Sequence, residues 1–196
     1  MVLEQVARPL RHMVLPDPPA PLGQVVVKVE ACGVCRTDLH VLDGDHTKPK
    51  LPLVLGHEIV GTVIATGEGV DGRLIGRKVG VPWLGHTCGH CPYCREGREN
   101  LRDDPGFTRY TIDGGFATHT VVVAGYAFEL PDETDPVAAA PLLCAGLIGW
   151  RSLKVAGEGR NLRVRRGRPH PRTGVQTSRR LRIFASRRRG RQEVCP

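Results

Sequence analysis

Three side chains scattered along the chain have the chemistry to hold one soft divalent cation. They are Cys35 in Cys-Gly-Val-Cys-Arg-Thr-Asp-Leu-His, His57 in Gly-His-Glu and Cys144 in Pro-Leu-Leu-Cys-Ala-Gly. Two thiolates and an imidazole suit zinc, and three protein ligands leave one tetrahedral position open to water or substrate. An ion with such a vacancy lowers the pKa of a bound water or alcohol, which is the chemistry of a metalloenzyme. Taken singly, each residue also has a plainer reading, as a buried apolar cysteine or a hydrogen-bonded loop histidine. Cys88, Cys91 and Cys94 follow a Cys-x-x-Cys-x-x-Cys spacing that lets thiolates converge on a second, structural zinc from a knuckle-like loop. Five of the seven cysteines thus fall in metal-like contexts outside Cys32 and Cys195, which favours metal in a reducing compartment over disulfides.

The elements that must position these residues read as short strands. Gln24 to Ala31 interleaves β-branched and polar residues, the pattern of a half-buried strand, and Ile59 to Thr66, Lys78 to Pro82 and Thr118 to Ala124 are similar. Gly67, Gly69, Gly114 and Gly115 punctuate them, and Pro49 and Pro52 mark a loop. Such strands and turns predict a mainly β fold, a small barrel with short helices, in which Thr37 to Leu42 forms one helical turn. From Thr134 the pattern changes. Thr134 or Asp135 can cap a helix with Pro136 in its first turn, and a second helical run spans about Cys144 to Val155.

With 196 residues and 40% hydrophobic content the chain can form one domain with an appendage. It lacks the roughly 20 apolar residues of a membrane span and a basic-then-apolar leader, so a soluble, cytoplasmic protein with no membrane partner is expected. The formal charge of +8 is unevenly placed. Residues 1–158 carry 15 basic and 19 acidic side chains, whereas residues 159–196 carry 13 arginines, no lysine and one acid, Glu193.

From about Val25 to Gly159 the sequence resembles the zinc-dependent alcohol dehydrogenases of the medium-chain dehydrogenase/reductase family. The likeness is dense over Cys32 to His40, Leu55 to Gly61, Cys88 to Gly97, Gly114 to Ala117 and Ala138 to Leu153. It implies a catalytic domain with a GroES-like β-barrel over residues 1–158. It also implies oxidation of a small alcohol to an aldehyde or ketone with NAD or NADP, and a homo-oligomeric full-length enzyme. That family holds its catalytic zinc by Cys, His and Cys, here Cys35, His57 and Cys144. By the same resemblance Glu58 is an occasional ligand, Thr37 and His40 relay the alcohol proton to solvent, Asp38 holds the free nitrogen of His57, and Arg36 contacts cofactor phosphate. The family's second zinc takes a fourth cysteine where this chain has Arg102, so that site is empty, weak, or completed by Asp103, His86 or His90. Zinc-free redox thiols are the remaining alternative.

Where the family continues into a nucleotide-binding strand and glycine-rich turn, the chain has Arg-Asn-Leu-Arg-Val-Arg-Arg-Gly-Arg-Pro-His-Pro. No glycine turn at a helix start is left to cradle a pyrophosphate. Permissible codons for Val164 to Val175, displaced by one base, can encode a turn and helix of the family's kind, so the tail reads as out of frame or degenerate. Its like-charge density and sparse apolar residues predict disorder. An arginine-rich arm can grip phosphates, but a lysine-free segment with Phe184 as its sole aromatic is an odd nucleic-acid binder, and nucleic acid is not the expected partner. The expected whole is an incomplete, inactive fragment of the dehydrogenase. A zinc-binding module without catalysis and a nucleic-acid binder are the two alternatives.

Overall fold

The computed structural model describes residues 1–46 and 48–156, and the backbone of two strands beyond them. In chain order the strands are β1 (Val2–Leu3), β2 (Gln24–Gly33), β3 (Leu53–Val54), β4 (Glu58–Thr66), β5 (Lys78–Val81), β6 (Leu84–His86), β7 (Gly106–Phe107), β8 (His119–Val123) and β9 (Phe128–Glu129). The α-helices are α1 (Arg36–Asp43), α2 (Pro92–Arg95), α3 (Pro136–Ala139) and α4 (Ala145–Ala156). Contacts divide the chain into two units, residues 1–145 and 146–196.

In the first unit, five antiparallel strands form a sheet in the order β8-β2-β4-β5-β9. Its period-two pattern serves two cores. Val25, Val27, Ile59, Val63, Val79, Val81 and Val122 fill one face, while Val60 on the other packs with Ala139 and Ala140 from the segment of α3. Full burial of each valine or isoleucine side chain contributes about 1.5–3 kcal/mol. A third cluster of Leu3, Val41, Leu53 and Leu55 fastens α1 to the small β1–β3 pair. The strand pattern of the sequence is recovered within one or two residues, and Asp135 caps α3 through an Asp135 Oδ1 that accepts from the Val137 N–H at 2.9 Å.

Two expectations need correction. The sheet is open, not a closed barrel: among the described residues β8 pairs with β2 alone, and the far edge, β9, is two residues long, too short to carry a ladder round to β8. The helical turn expected at Thr37 to Leu42 is a two-turn helix, ended by Gly44 in the left-handed conformation at φ 84°. Among the described residues no single helix is long and apolar enough to cross a membrane.

In the second unit α4 continues from Gly146, and within the tail expected to lack structure two strands, β10 (Leu162–Arg166) and β11 (Leu181–Ala185), run antiparallel with Val164 opposite Ile183. Leu-Arg-Val-Arg and Leu-Arg-Ile-Phe carry apolar residues at alternate positions, a local preference that the overall charge count conceals. The rest of the tail, including Arg187 to Arg191, lies outside the described residues.

Candidate metal centre

Strand β2 sets the first candidate ligand. Its register against β4 shifts between Val26 and Val27 and again between Val29 and Ala31. Such bulges bend a strand and increase its twist, turning its end toward the segment that leads to α1. Cys35 is the N-cap of that helix, with the helix's amide end beside its sulfur, a position that favours a thiolate. The second candidate, His57, follows Gly56, whose φ of 92° is left-handed. A Cβ there would also sit 2.6 Å from Cys32 Sγ, so glycine is required. The third, Cys144, ends the 3-10 turn after α3. Glu58 opens β4 opposite Gly33, and a side chain at Gly33 would collide with its carboxylate, a Cβ lying 2.0 Å from Glu58 Oε2.

These elements bring one ligand atom each from Cys35, His57, Glu58 and Cys144 within 4.8 Å of one another. The sulfurs of Cys35 and Cys144, 109 positions apart in sequence, are 3.9 Å from each other. Two sulfurs at the usual bond length of about 2.3 Å from a tetrahedral zinc stand about 3.8 Å apart, so the donor set fits that ion. Hydrogen bonding from the Cys144 thiol, then from His57, holds the Cys35 pKa down to about 3, while Cys144 is raised because the shared proton stays with it. Burial pushes the Glu58 carboxyl up. Burial also pushes His57 down, but the Asp38 carboxylate and Cys35 together outweigh it and the imidazole pKa is raised.

Asp38 is 3% exposed and stands at the back of the cluster. Its Oδ2 accepts from the Cys35 N–H at 2.8 Å and its Oδ1 from the Gly56 N–H at 3.2 Å. The sequence reading gave it the free nitrogen of His57, and here the structure differs. Nδ1 is 3.7 Å from Asp38 Oδ1 but accepts a 2.8 Å hydrogen bond from Arg109 Nε. Arg109 went unrecognised in the sequence, where nothing about an arginine in Phe-Thr-Arg-Tyr marks it out. Trp83, with its ring 5.6 Å from that of His57 and Phe107 stacked on it at 4.6 Å, was likewise missed.

Thr37 Oγ1 is 3.6 Å from Cys35 Sγ, which brings it to the edge of the cluster. His40 lies one turn further along α1 at 36% exposure, with Nδ1 2.7 Å from Asp45 Oδ2. Arg36 is exposed at the start of the same helix.

The second cysteine set also converges. Cys88, after β6, and Cys91 and Cys94, around α2, offer sulfurs within 4.8 Å of one another, with Cys88 3.9 Å and Cys91 3.4 Å from Cys94. Backbone N–H groups of His90 and Cys91 lower Cys88 to about 6. Among the described residues neither Asp103, His86 nor His90 joins the group. The His90 Nδ1–H donates to the Cys88 carbonyl at 2.8 Å. Arg102 Nη2 is 3.5 Å from Asp104 Oδ2, and its Nη1 is buried without a hydrogen-bond partner.

Residues 21–132, more than half of the chain and spanning the five-stranded sheet, are matched by the profile of the alcohol dehydrogenase GroES-like domain. The chain belongs to that family. An alcohol dehydrogenase of Geobacillus stearothermophilus is 43% identical to this GroES-like domain protein over 157 residues, which cover 80% of the chain and 47% of the relative. The structure of acetophenone reductase from Geotrichum candidum in complex with NAD superposes with a TM-score of 0.70 at 32% identity, covering 79% of this chain and 46% of that one. The cobalt- and zinc-bound thermostable alcohol dehydrogenase from Pyrobaculum aerophilum gives 0.70 at 28% identity, over 76% and 45%. The chain thus spans just under half the length of these relatives.

Proposed function

We propose that the GroES-like domain protein carries the catalytic-zinc half of an alcohol dehydrogenase that oxidises a small alcohol to an aldehyde or ketone with NAD or NADP. The observation that carries this reading is the convergence of Cys35, His57 and Cys144 at a separation suited to one tetrahedral zinc, with Glu58 beside them. When bound, the ion would supply Lewis acidity toward the alcohol hydroxyl.

The chain's own residues supply the rest. Cys35 and Cys144 would hold the cation as thiolates and His57 would hold it as neutral imidazole. Thr37, at the cluster edge, would accept the hydroxyl proton, and His40, one turn along α1 and partly exposed, would pass it to solvent. Glu58, with its carboxyl raised by burial, stands ready as an exchangeable neighbour of the ligands. Arg36, exposed at the helix start, is suited to a cofactor phosphate. A cytoplasmic, homo-oligomeric enzyme accords with the cysteine usage and the family.

Zinc content of the purified chain and of Cys35→Ser, measured by native mass spectrometry, tests the reading. One zinc lost on substitution is expected. Equal zinc in both proteins would overturn it, as would an intact Cys35 that is alkylated equally fast with and without zinc.

A further inference from the structure

Arg109 is 1% exposed, and its backbone φ is 68°, a left-handed conformation that a residue with a Cβ adopts at a cost. The side chain that holds it there reaches the rear of the metal centre. Nε donates to His57 Nδ1 at 2.8 Å and Nη1 donates to the Thr37 carbonyl at 2.9 Å. Nε is also 3.5 Å from Asp38 Oδ1, and the guanidinium carbon lies 4.3 Å from the centre of the Trp83 ring.

A guanidinium donates hydrogen bonds and accepts none. While Nε–H points at Nδ1, that nitrogen must present a lone pair, and a neutral imidazole then carries its proton on Nε2. With Nδ1 taken, Nε2 is the nitrogen left for the cluster of Cys35, Glu58 and Cys144. A ligating nitrogen needs its own lone pair free, and a ligating histidine ordinarily gives its other N–H to a carboxylate. Asp38 Oδ1, 3.7 Å from Nδ1, could receive that N–H. The two partners therefore demand opposite tautomers: Arg109 favours the one that cannot bind metal, Asp38 the one that can. The fixed positive charge of Arg109 close behind the ligand works in the same direction.

We propose that Arg109 is a positioning residue that opposes metal loading, and that zinc affinity at Cys35, His57 and Cys144 is set by competition between Arg109 and Asp38 for His57 Nδ1. This rests on the zinc-site reading above. Loading requires the imidazole to transfer its allegiance from guanidinium to carboxylate, with the proton moving from Nε2 to Nδ1 by way of solvent. A residue with a merely structural role would weaken zinc binding when removed. The competition demands the reverse sign.

The test is zinc affinity of the full chain by competition with a chromophoric chelator, comparing the wild type, Arg109→Gly and Cys35→Ser. Glycine relieves the left-handed backbone and removes the competing donor, so Arg109→Gly should bind zinc at the Cys35-dependent site about 10- to 100-fold more tightly. Equal or weaker binding at that site overturns the inference and leaves the zinc site standing. If Cys35→Ser lowers zinc uptake in neither background, the zinc-site reading falls and the inference falls with it. Nitrogen-15 NMR of the metal-free wild type keeps the question open to refutation should the variant not fold. In its neutral form His57 should carry its proton on Nε2, the nitrogen away from Arg109, and move it to Nδ1 when zinc is added. An Nδ1–H already present without metal overturns the proposal.

Discussion

Asp38 and Gly56, 18 positions apart, are joined by a 3.2 Å hydrogen bond from the Gly56 N–H to Asp38 Oδ1. Because the other carboxylate oxygen accepts from the Cys35 N–H, one buried side chain fixes the two loops that present Cys35 and His57. In Asp38→Asn one of these backbone donors faces an amide NH2 rather than an oxygen. Leaving a buried donor unpaired costs about 1–3 kcal/mol, which urea unfolding of the metal-free chain will read. The same change should weaken zinc binding about 10- to 100-fold in a chelator competition.

Thiol reactivity separates two cysteines that lie close together in sequence. Cys35 is held down to about 3, whereas burial pushes Cys32 up to about 12, so at neutral pH one is a thiolate and the other a thiol. Iodoacetamide treatment of the metal-free chain followed by peptide mass spectrometry should label Cys35 and the lowered Cys88 ahead of Cys32. Zinc should protect Cys35. Preferential labelling of Cys32 would contradict the assignment.

The shared proton of Cys35 and Cys144 gives metal-free stability a pH dependence of definite sign. Between the folded Cys35 value of about 3 and the ordinary thiol value of 9.0, the unfolded pair holds two protons and the folded pair one, so stability increases with pH. Above 9.0 the unfolded pair is bare while Cys144 keeps its proton, and stability decreases again. The Tm difference between wild type and Cys35→Ser should therefore peak near pH 9.0. A difference that does not vary with pH would count against the shared proton.

At the second cluster three thiols converge without a fourth ligand among the described residues, and Arg102 stands at the sequence position where the resemblance implies a fourth cysteine. Structural zinc is ordinarily four-coordinate. Arg102→Cys should accordingly raise zinc stoichiometry by one after dialysis against a weak chelator, with the gain lost in Cys91→Ser. Unchanged stoichiometry would mean that position 102 does not reach the cluster.

Much of the positioning framework was legible in the sequence because it rests on local pattern. β-branched residues define β2 and β8, Asp135 and Pro136 announce a helix start, the Cys-x-x-Cys-x-x-Cys spacing marks one cluster, and the flanking motifs of Cys35, His57 and Cys144 with their family resemblance mark the other. Barrel closure was not legible, since it depends on whether two edge strands are long enough to meet. The role of Arg109 was equally hidden. Its importance comes from a left-handed backbone and from a contact 52 positions away with His57, neither of which leaves a periodic trace.

Cys144 follows every strand of the five-stranded sheet, whereas Cys35 and His57 precede or open its middle. On a ribosome, therefore, the proposed cation site would gain its last wall only after the five-stranded sheet has been synthesised. Until then a nascent chain would offer this candidate site Cys35, His57 and Glu58 without the second thiol, so a zinc ion captured there early would be held less tightly than by the complete set.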